Sequence, residues 1–375
     1  MYEEQAVRSH ANAIFNEIRN TPLESLNTQS FRSRIADAIR VTSEGTADTD
    51  PSEDQGLQKT LRIVAKYNVH FLPPCNVQDH AGQATVYTFD GFPGIAAHNM
   101  AQTTSGLYLV RNYLTEEQCQ KLMCQTLTEY INVGGGGPSI IRTQPPNNSN
   151  IYQNDGTLST PIWPSANFKK LRWATIGHMY EWVTQTPLPT LCSWGTRSYR
   201  GYSTFPEPLV KITQSLLSHL NREYVPDAAI INCYTKGYFL RLHKDDAEET
   251  DDTVVNISLG APAIFTIGGR DYSTIPVAMV VDSGSVVLMA EDSRFCLHGV
   301  VKLLGYNKPG RHNYDAGETS DVGEFAYAAP RLNMVIPQCS VDATASLECD
   351  PQSLDRVKTL FADHRVSISI RRAKR

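Results

Sequence analysis

The N-terminal part of the chain repeats its apolar residues with a helical period. One predicted helical face carries Ala11, Ile14, Phe15 and Ile18, which are spaced at i, i+3, i+4 and i+7. Residues 1–40 are therefore predicted to be helical. The stretch that follows, residues 43–56, holds five acidic residues and no basic ones. That composition is typical of a disordered linker.

Two further helices are predicted from their end signals. Thr115 precedes a segment with an apolar face, and Gln118 can reach back to it in a capping box. This helix is expected to end before the four glycines at 134–137. Asp350 and Pro351 suit the N-cap and the first turn of another helix.

Short β-branched runs replace the helical period from about residue 227. They are separated by Gly, Pro or Asp and cover 229–234, 253–259, 263–267, 277–281 and 286–289. Many short strands with turn signals predict a sandwich or barrel. Residues 365–371 alternate strictly between polar and apolar, which predicts one more strand. Long loops are expected at 138–168 and 305–330.

The composition of the chain limits the classes of protein to which it can belong. Hydrophobic residues make up 41% of the 375 residues, enough for a sizeable core. No window is apolar enough to span a bilayer, so no membrane partner is expected. The net charge is −5, and the acidic stretch at 43–56 accounts for all of it. Averaged charge therefore neither supports nor excludes a nucleic-acid partner.

The cysteines and the first residues bear on the compartment. Eight cysteines occur without CxxC pairs, which favours free thiols in a reducing compartment over a disulfide framework or a cysteine zinc site. Glu3 and Glu4 disfavour a secretory signal peptide and a mitochondrial presequence. The nucleus or cytoplasm is the expected location, with the mitochondrion left open.

A candidate metal site follows from spacing. His243 and Asp245 lie at i and i+2 of an extended segment, so their side chains point the same way. A second histidine from a distant strand would complete a facial triad suited to non-haem Fe(II), and His298 is the candidate. The alternative is a surface histidine beside acids, because residues 245–252 hold six acidic residues.

A series of motifs resembles the AlkB dioxygenases. In chain order these are Asn232-x-Tyr234, His243-x-Asp245, SLGAPAIFTIGG at 258–269, a Gly-centred turn at 283–285, and SRFCLHG at 293–299. Residues 171–182 and 91–94 are similar to the eukaryotic AlkB homologue 1 branch. The resemblance covers roughly residues 88–375.

The resemblance implies a mainly β, α+β fold: a double-stranded β-helix, or jelly-roll, with an N-terminal helical extension. Residues 1–87 would be a helical, acidic and partly disordered extension. Residues 88–375 would be the dioxygenase domain, with a catalytic core at about 227–375 and a substrate lid at about 132–200. The implied cofactors are Fe(II), 2-oxoglutarate and O2. The implied catalytic metal ligands are His243, Asp245 and His298, and the implied 2-oxoglutarate pocket includes Asn232 and Tyr234.

The family ends in a strand of pattern RxNxTxR whose arginines bind 2-oxoglutarate, and two segments here compete for that role. Arg331 and Asn333 keep part of the pattern but run into a proline, which disfavours a central strand. The segment 365–371 keeps both arginines at the family spacing. Arg365, Ser367 and Arg371 are therefore the predicted cosubstrate residues, and Arg331 with Asn333 stays the alternative.

The resemblance also implies an activity, hydroxylation of a C–H bond, often of a methyl group on a base nitrogen. The expected partner is tRNA or DNA with methylated bases, acted on by a monomer, and a base in a duplex must be flipped out. Candidates for stacking on such a base are Trp173, Tyr180 and Trp182, although Trp173 also suits core packing. The alternatives are an oxygenase of protein substrates and a catalytically silent binding protein with the same fold.

Overall fold

The computed structural model describes residues 2–44, 57–58, 61–62, 64–65, 67–70, 82–89, 106–132, 139–140, 171–181, 198–202, 204–272, 276–304 and 330–374. The helices in these ranges are α1 (Tyr2–Asn20), α2 (Gln29–Glu44), α3 (Glu116–Thr128), α4 (Glu207–Ser218), α5 (Val341–Thr344) and α6 (Pro351–Leu360). The strands are β1 (Val69–His70), β2 (Gln83–Phe89), β3 (Leu107–Arg111), β4 (Ser139–Ile140), β5 (Leu171–Glu181), β6 (Ser198–Tyr202), β7 (Ala228–Thr235), β8 (Leu240–His243), β9 (Val254–Gly260), β10 (Ala263–Ile267), β11 (Val277–Val281), β12 (Val286–Met289), β13 (His298–Leu303), β14 (Pro330–Pro337) and β15 (His364–Arg371).

The strands form two sheets. The smaller sheet has the order β1-β11-β10-β13-β8. The larger sheet has the order β14-β2-β3-β12-β9-β15-β7-β5-β4, and β6 pairs with β5. One apolar cluster takes residues from both sheets, such as Phe265 and Val287, so it fills the space between them. This architecture confirms the predicted mainly β, jelly-roll fold.

Helices cover the outer faces of both sheets. The apolar sides of α1 and α2 pack with residues of the smaller sheet, such as Ile264 and Val301, in one cluster. On the other side, α3 and α4 pack with the apolar face of β15, including Ile368. Among the described residues, no helix combines the length and apolar content needed to cross a membrane.

The N-terminal residues form two helices within the region that was predicted to be helical. The predicted apolar face is buried as expected. The break lies at Pro22, whose ring removes a backbone donor, and a short 3-10 turn follows at Leu23–Ser25. Asn27 then adopts a left-handed φ of 67°, which turns the chain into α2.

The helix caps and all six predicted strands are confirmed. Thr115 and Gln118 form the capping box of α3, and Asp350 accepts a hydrogen bond from the backbone of Ser353 at the start of α6. Strands that the sequence did not predict, among them β2 and β3, extend the larger sheet. The predicted boundary between residues 87 and 88 falls inside β2. Residues 45–56, 141–168 and 305–329 lie outside the described ranges.

Two cysteines depart from the expectation of free thiols. Cys124 on α3 and Cys349, just before α6, form a disulfide although they are 225 residues apart in the chain. Folding places α3 against α6, which brings the two side chains together. Cys119, Cys233, Cys296 and Cys339 are buried free thiols.

Candidate active site

The fold brings the predicted triad to one end of the smaller sheet. His243 is the last residue of β8 and His298 the first of β13, and these two residues face each other in the antiparallel register. Asp245 follows His243 by two residues. One ligand atom from each of the three side chains lies within 4.8 Å of the other two. The two imidazole rings are 4.4 Å apart between centroids.

Gly299 permits the close approach of β8 and β13. A Cβ at this position would lie 2.5 Å from the carbonyl oxygen of Leu240. Any larger residue would push the two strands apart at the point where His243 and His298 meet. The glycine after His298 is therefore part of what sets the distance between the two imidazoles.

Both histidines are held by their Nδ1 atoms. His243 Nδ1 lies 2.9 Å from the carbonyl oxygen of Arg241, and His298 Nδ1 lies 3.0 Å from that of Cys296. A carbonyl only accepts, so each Nδ1 donates its proton. Each Nε2 then carries the lone pair and faces Asp245, at 3.8 Å from Oδ1 for His243 and 3.7 Å from Oδ2 for His298. This is the tautomer that a metal requires.

The ionisation states also suit a cation. Burial, together with the neighbouring imidazole of His243, lowers the pKa of His298 to about 4, so the ring is neutral at neutral pH. Burial alone would raise the pKa of Asp245, but the positive charges around it, that of Arg371 foremost, together outweigh burial and hold that pKa below its usual range. Two imidazole nitrogens and one carboxylate form a mixed N/O set suited to Fe(II).

A cavity of about 500 Å³ opens beside the triad, between the two sheets. The predicted cosubstrate residues that line it are Asn232, Tyr234, Arg365, Ser367 and Arg371. They share one face because β15 pairs with β7 in a register that places Ser367 opposite Asn232 and Arg365 opposite Tyr234. The polar face of β15 therefore lines an interior cavity, and its apolar face packs on the helices.

Arg365 suits an anionic ligand. It is 3% exposed, and its guanidinium donates 2.7 Å to Ser258 Oγ. The acidic residue nearby, Asp282, is paired with Arg111 instead. Within the described residues Arg365 forms no ion pair, and its buried Nε has no hydrogen-bond partner. Burial lowers the pKa of Arg365 to about 10, which still leaves it charged at neutral pH. A buried, unbalanced cation of this kind fits a carboxylate of 2-oxoglutarate.

Arg371 differs from Arg365 because it is already paired. Its Nη2 lies 3.0 Å from Asp245 Oδ2 and its Nη1 lies 2.7 Å from Glu248 Oε1. Glu248 also accepts from Arg294 at 2.7 Å. Glu248 does not stand out in the sequence, because the acidic run from 245 to 252 has the composition of a solvated surface. Arg294 lies in the motif at 293–299, but the motif alone gives it no role.

The competing arginine lies elsewhere. Arg331 and Asn333 are exposed on β14, the edge strand of the larger sheet, which pairs with β2. Neither residue lines the cavity at the triad. This placement favours Arg365 over Arg331 as the cosubstrate residue.

The predicted substrate residues are only partly described. Trp173 on β5 lines the cavity and lies opposite Asn232 in the sheet. The backbone of Tyr180 pairs with Tyr199 on β6. Trp182 lies outside the described residues. The neighbouring Arg172 stacks over the ring of Tyr238 at 3.1 Å from the centroid.

The site and the fold agree with a match to a known family. Residues 106–336, more than half of the chain, match the family model described as the 2OG-Fe(II) oxygenase superfamily. The chain belongs to this superfamily, whose members use Fe(II), 2-oxoglutarate and O2. The match confirms the family resemblance drawn from the motifs.

Individual relatives narrow the similarity to AlkB proteins. The chain is 35% identical over 143 residues to the tRNA demethylase abh1 of Schizosaccharomyces pombe, covering 38% of this chain and 45% of abh1. It is 31% identical over 157 residues to the DNA N(6)-methyladenine demethylase ALKBH1A of Arabidopsis thaliana, covering 41% of this chain and 42% of that protein. The matched part is thus less than half the length of each relative. A solved structure of OsALKBH1 aligns at 18% identity with a TM-score of 0.40, covering 72% of this chain and 97% of that one.

Proposed function

We propose that this protein is an Fe(II)- and 2-oxoglutarate-dependent dioxygenase that oxidatively demethylates or hydroxylates modified bases in nucleic acid, either tRNA or DNA. One observation carries the proposal. The His243, Asp245 and His298 cluster and the buried cation Arg365 lie around a single interior cavity. A metal-binding set and an anion-binding group on facing sheets are what this chemistry needs.

The metal ligands would be the Nε2 atoms of His243 and His298 and a carboxylate oxygen of Asp245. Three protein ligands leave coordination positions open for 2-oxoglutarate and O2. Bound Fe(II) would supply hydroxylation of a substrate C–H bond by O2, coupled to conversion of 2-oxoglutarate to succinate and CO2. The carbonyls at Nδ1 keep both rings in the ligating tautomer before any metal arrives.

The cavity wall would orient the cosubstrate. Arg365 would bind a carboxylate of 2-oxoglutarate. Burial raises the pKa of Tyr234 well above its usual range, so its phenol stays protonated and can donate a hydrogen bond. Leu240, Phe265 and Val300 give the cavity apolar walls that exclude water.

Two observations support the proposed substrate class: the names of the relatives and the side chains that line the cavity. Two relatives are named as demethylases of tRNA and of DNA. Trp173 and Lys244 both line the cavity, and they offer an aromatic face for a base and a cation for a phosphate. The corresponding roles are tRNA modification or DNA repair. The same proposal includes a monomer located in the nucleus or cytoplasm, with the mitochondrion as the alternative.

The test is turnover of 2-oxoglutarate to succinate by the purified protein with Fe(II) and ascorbate. Methylated and unmethylated tRNA and DNA oligonucleotides serve as substrates, and base analysis by mass spectrometry identifies the product. Asp245→Ala is the inactive variant, and Asp251→Ala, an exposed acid of the same run, is the matched control.

We expect turnover that one class of methylated oligonucleotide stimulates, that is lost in Asp245→Ala and that is kept in Asp251→Ala. Turnover stimulated by peptides and by no oligonucleotide would move the substrate class to proteins. If the wild-type protein binds neither metal nor 2-oxoglutarate, the enzyme proposal is wrong.

A further inference from the structure

A buried bridge of four charged side chains lies directly behind the triad. Glu248 is at its centre, with its side chain 1% exposed. One carboxylate oxygen accepts from Arg371 at 2.7 Å and the other accepts from Arg294 at 2.7 Å. Arg371 then continues to Asp245 at 3.0 Å. Glu248 is thus two contacts away from Asp245, the predicted metal ligand.

Arg294 fixes the backbone of the same segment. Its guanidinium donates to the carbonyl oxygens of Asp245 and, at 2.9 Å, Asp252. The side chain is 1% exposed, and it precedes His298 by four residues. The bridge therefore ties the segment that carries Asp245 to the segment that leads into His298.

The neighbouring ion pairs are of a different kind. Glu249 pairs with Lys374, and Asp252 pairs with Arg372 at 2.7 Å. The side chains of Glu249 and Lys374 are 50% and 35% exposed. Ion pairs this exposed to water contribute little to the stability of the fold. Glu248 and Glu249 are therefore adjacent glutamates, each paired to a cation, that differ mainly in burial and in distance from the triad.

We propose that Glu248 is a positioning residue for the metal centre. Its carboxylate holds Arg371 in the orientation from which the guanidinium turns the carboxylate of Asp245 towards His243 and His298. The inference rests on the proposed metal site and goes beyond it, because it assigns a role to a residue that does not touch the metal.

Charge balance supports the same assignment. Two arginines, Arg294 and Arg371, face two carboxylates, Asp245 and Glu248, so the four side chains sum to zero. Without the charge of Glu248 the group carries a net positive charge beside the position of a divalent cation. In a buried site that repulsion is only weakly screened. Loss of Glu248 should therefore weaken metal binding through both orientation and charge.

The test is the affinity for Mn(II) and Co(II), measured on the full chain by calorimetry and by the visible absorption of Co(II). Glu248→Gln keeps the shape and removes the charge, and Glu249→Gln is the matched control. Replacing a residue that orients a metal ligand weakens metal affinity by about 10- to 100-fold. We expect a loss in that range for Glu248→Gln, with an altered Co(II) spectrum, and a change within about twofold for Glu249→Gln.

A purely structural role makes a different prediction. In that case Glu248→Gln would lower the melting temperature, but its folded fraction would bind Co(II) with the wild-type affinity and spectrum, which would overturn the inference. If Glu248→Gln does not fold, Glu248→Asp keeps the charge and shortens the reach to Arg371. Weakened metal binding in folded Glu248→Asp supports the orienting role, and wild-type affinity overturns it. Absence of metal binding by the wild-type protein overturns the proposed function itself.

Discussion

Replacement of Arg365 by methionine separates the binding of 2-oxoglutarate from the stability of the fold. Arg365 is buried and charged, forms no ion pair with the described carboxylates, and lines the cavity beside the triad. Truncating one partner of a buried, hydrogen-bonded charge pair costs about 2–5 kcal/mol of binding. Each 1.4 kcal/mol is about tenfold in a dissociation constant. Water that enters the vacated space will recover part of the lost binding energy. We therefore expect the dissociation constant for 2-oxoglutarate to rise by roughly 30- to 1,000-fold.

The same change should leave the ligand-free protein as stable as before, or more stable. A buried charge without a partner opposes folding, and replacing it by an apolar side chain of similar length is often neutral or stabilising. The lowered pKa of Arg365, caused by burial, indicates that the charged form is disfavoured where it lies. We therefore expect an unchanged or higher melting temperature for Arg365→Met without ligand, together with weaker cosubstrate binding.

The assay is calorimetric titration of 2-oxoglutarate into the Mn(II)-loaded protein, beside thermal unfolding without ligand. Arg331→Met is the matched control, since Arg331 belongs to the competing segment and is exposed on β14. The dissociation constant of Arg331→Met for 2-oxoglutarate should stay within about twofold of the wild-type value. The reasoning is refuted if Arg331→Met weakens 2-oxoglutarate binding and Arg365→Met does not.

Three further outcomes are expected. His298→Ala should abolish Co(II) binding and reduce succinate formation by at least about 100-fold, because only two protein ligands remain; unchanged Co(II) binding would exclude His298 as a ligand. Burial lowers the pKa values of His70 and His298 to about 4. The unfolded chain therefore takes up more protons between pH 6.5 and 4, and the metal-free protein should lose up to roughly 3 kcal/mol per histidine as the pH falls through that range, measured by urea unfolding. His70→Leu should remove about half of this loss, and an equal pH slope in that variant would contradict the assignment. Gly299→Ala should separate β8 from β13 and weaken Co(II) binding by about tenfold or more, measured by titration; wild-type Co(II) affinity in this variant would contradict the role given to Gly299.

The triad was predictable because its signal is local. His243 and Asp245 are two residues apart in an extended segment, and His298 lies in a motif with its own recognisable neighbours. The alternation in β15 also predicted which residues share a face. It did not predict that the polar face lines an interior cavity, because alternation alone is the same for a solvent-facing strand.

The partners of Glu248 were not predictable because they depend on distant segments. Glu248 meets Arg294 and Arg371, which lie 46 and 123 residues further along the chain. In the sequence it is one acid among several, and nothing local distinguishes it from Glu249. The Cys124–Cys349 disulfide escaped prediction for the same reason. The helix break at Pro22 had a local signal, since a proline inside a helical pattern ends or kinks the helix.

The position of β15 has a consequence for how the chain matures. β15 lies between β7 and β9 in the larger sheet, although it follows both in the sequence. As the chain leaves the ribosome, β7 and β9 each keep an unpaired edge until residues 364–371 have been synthesised. The pairing of β15 with both strands is long-range, so it forms slowly, and the unpaired edges can aggregate before it forms. The strand that completes the sheet is also the strand that carries Arg365 and Arg371. Pairing of β15 should therefore complete the sheet and the cosubstrate site at the same time. A chain that lacks β15 should not bind 2-oxoglutarate.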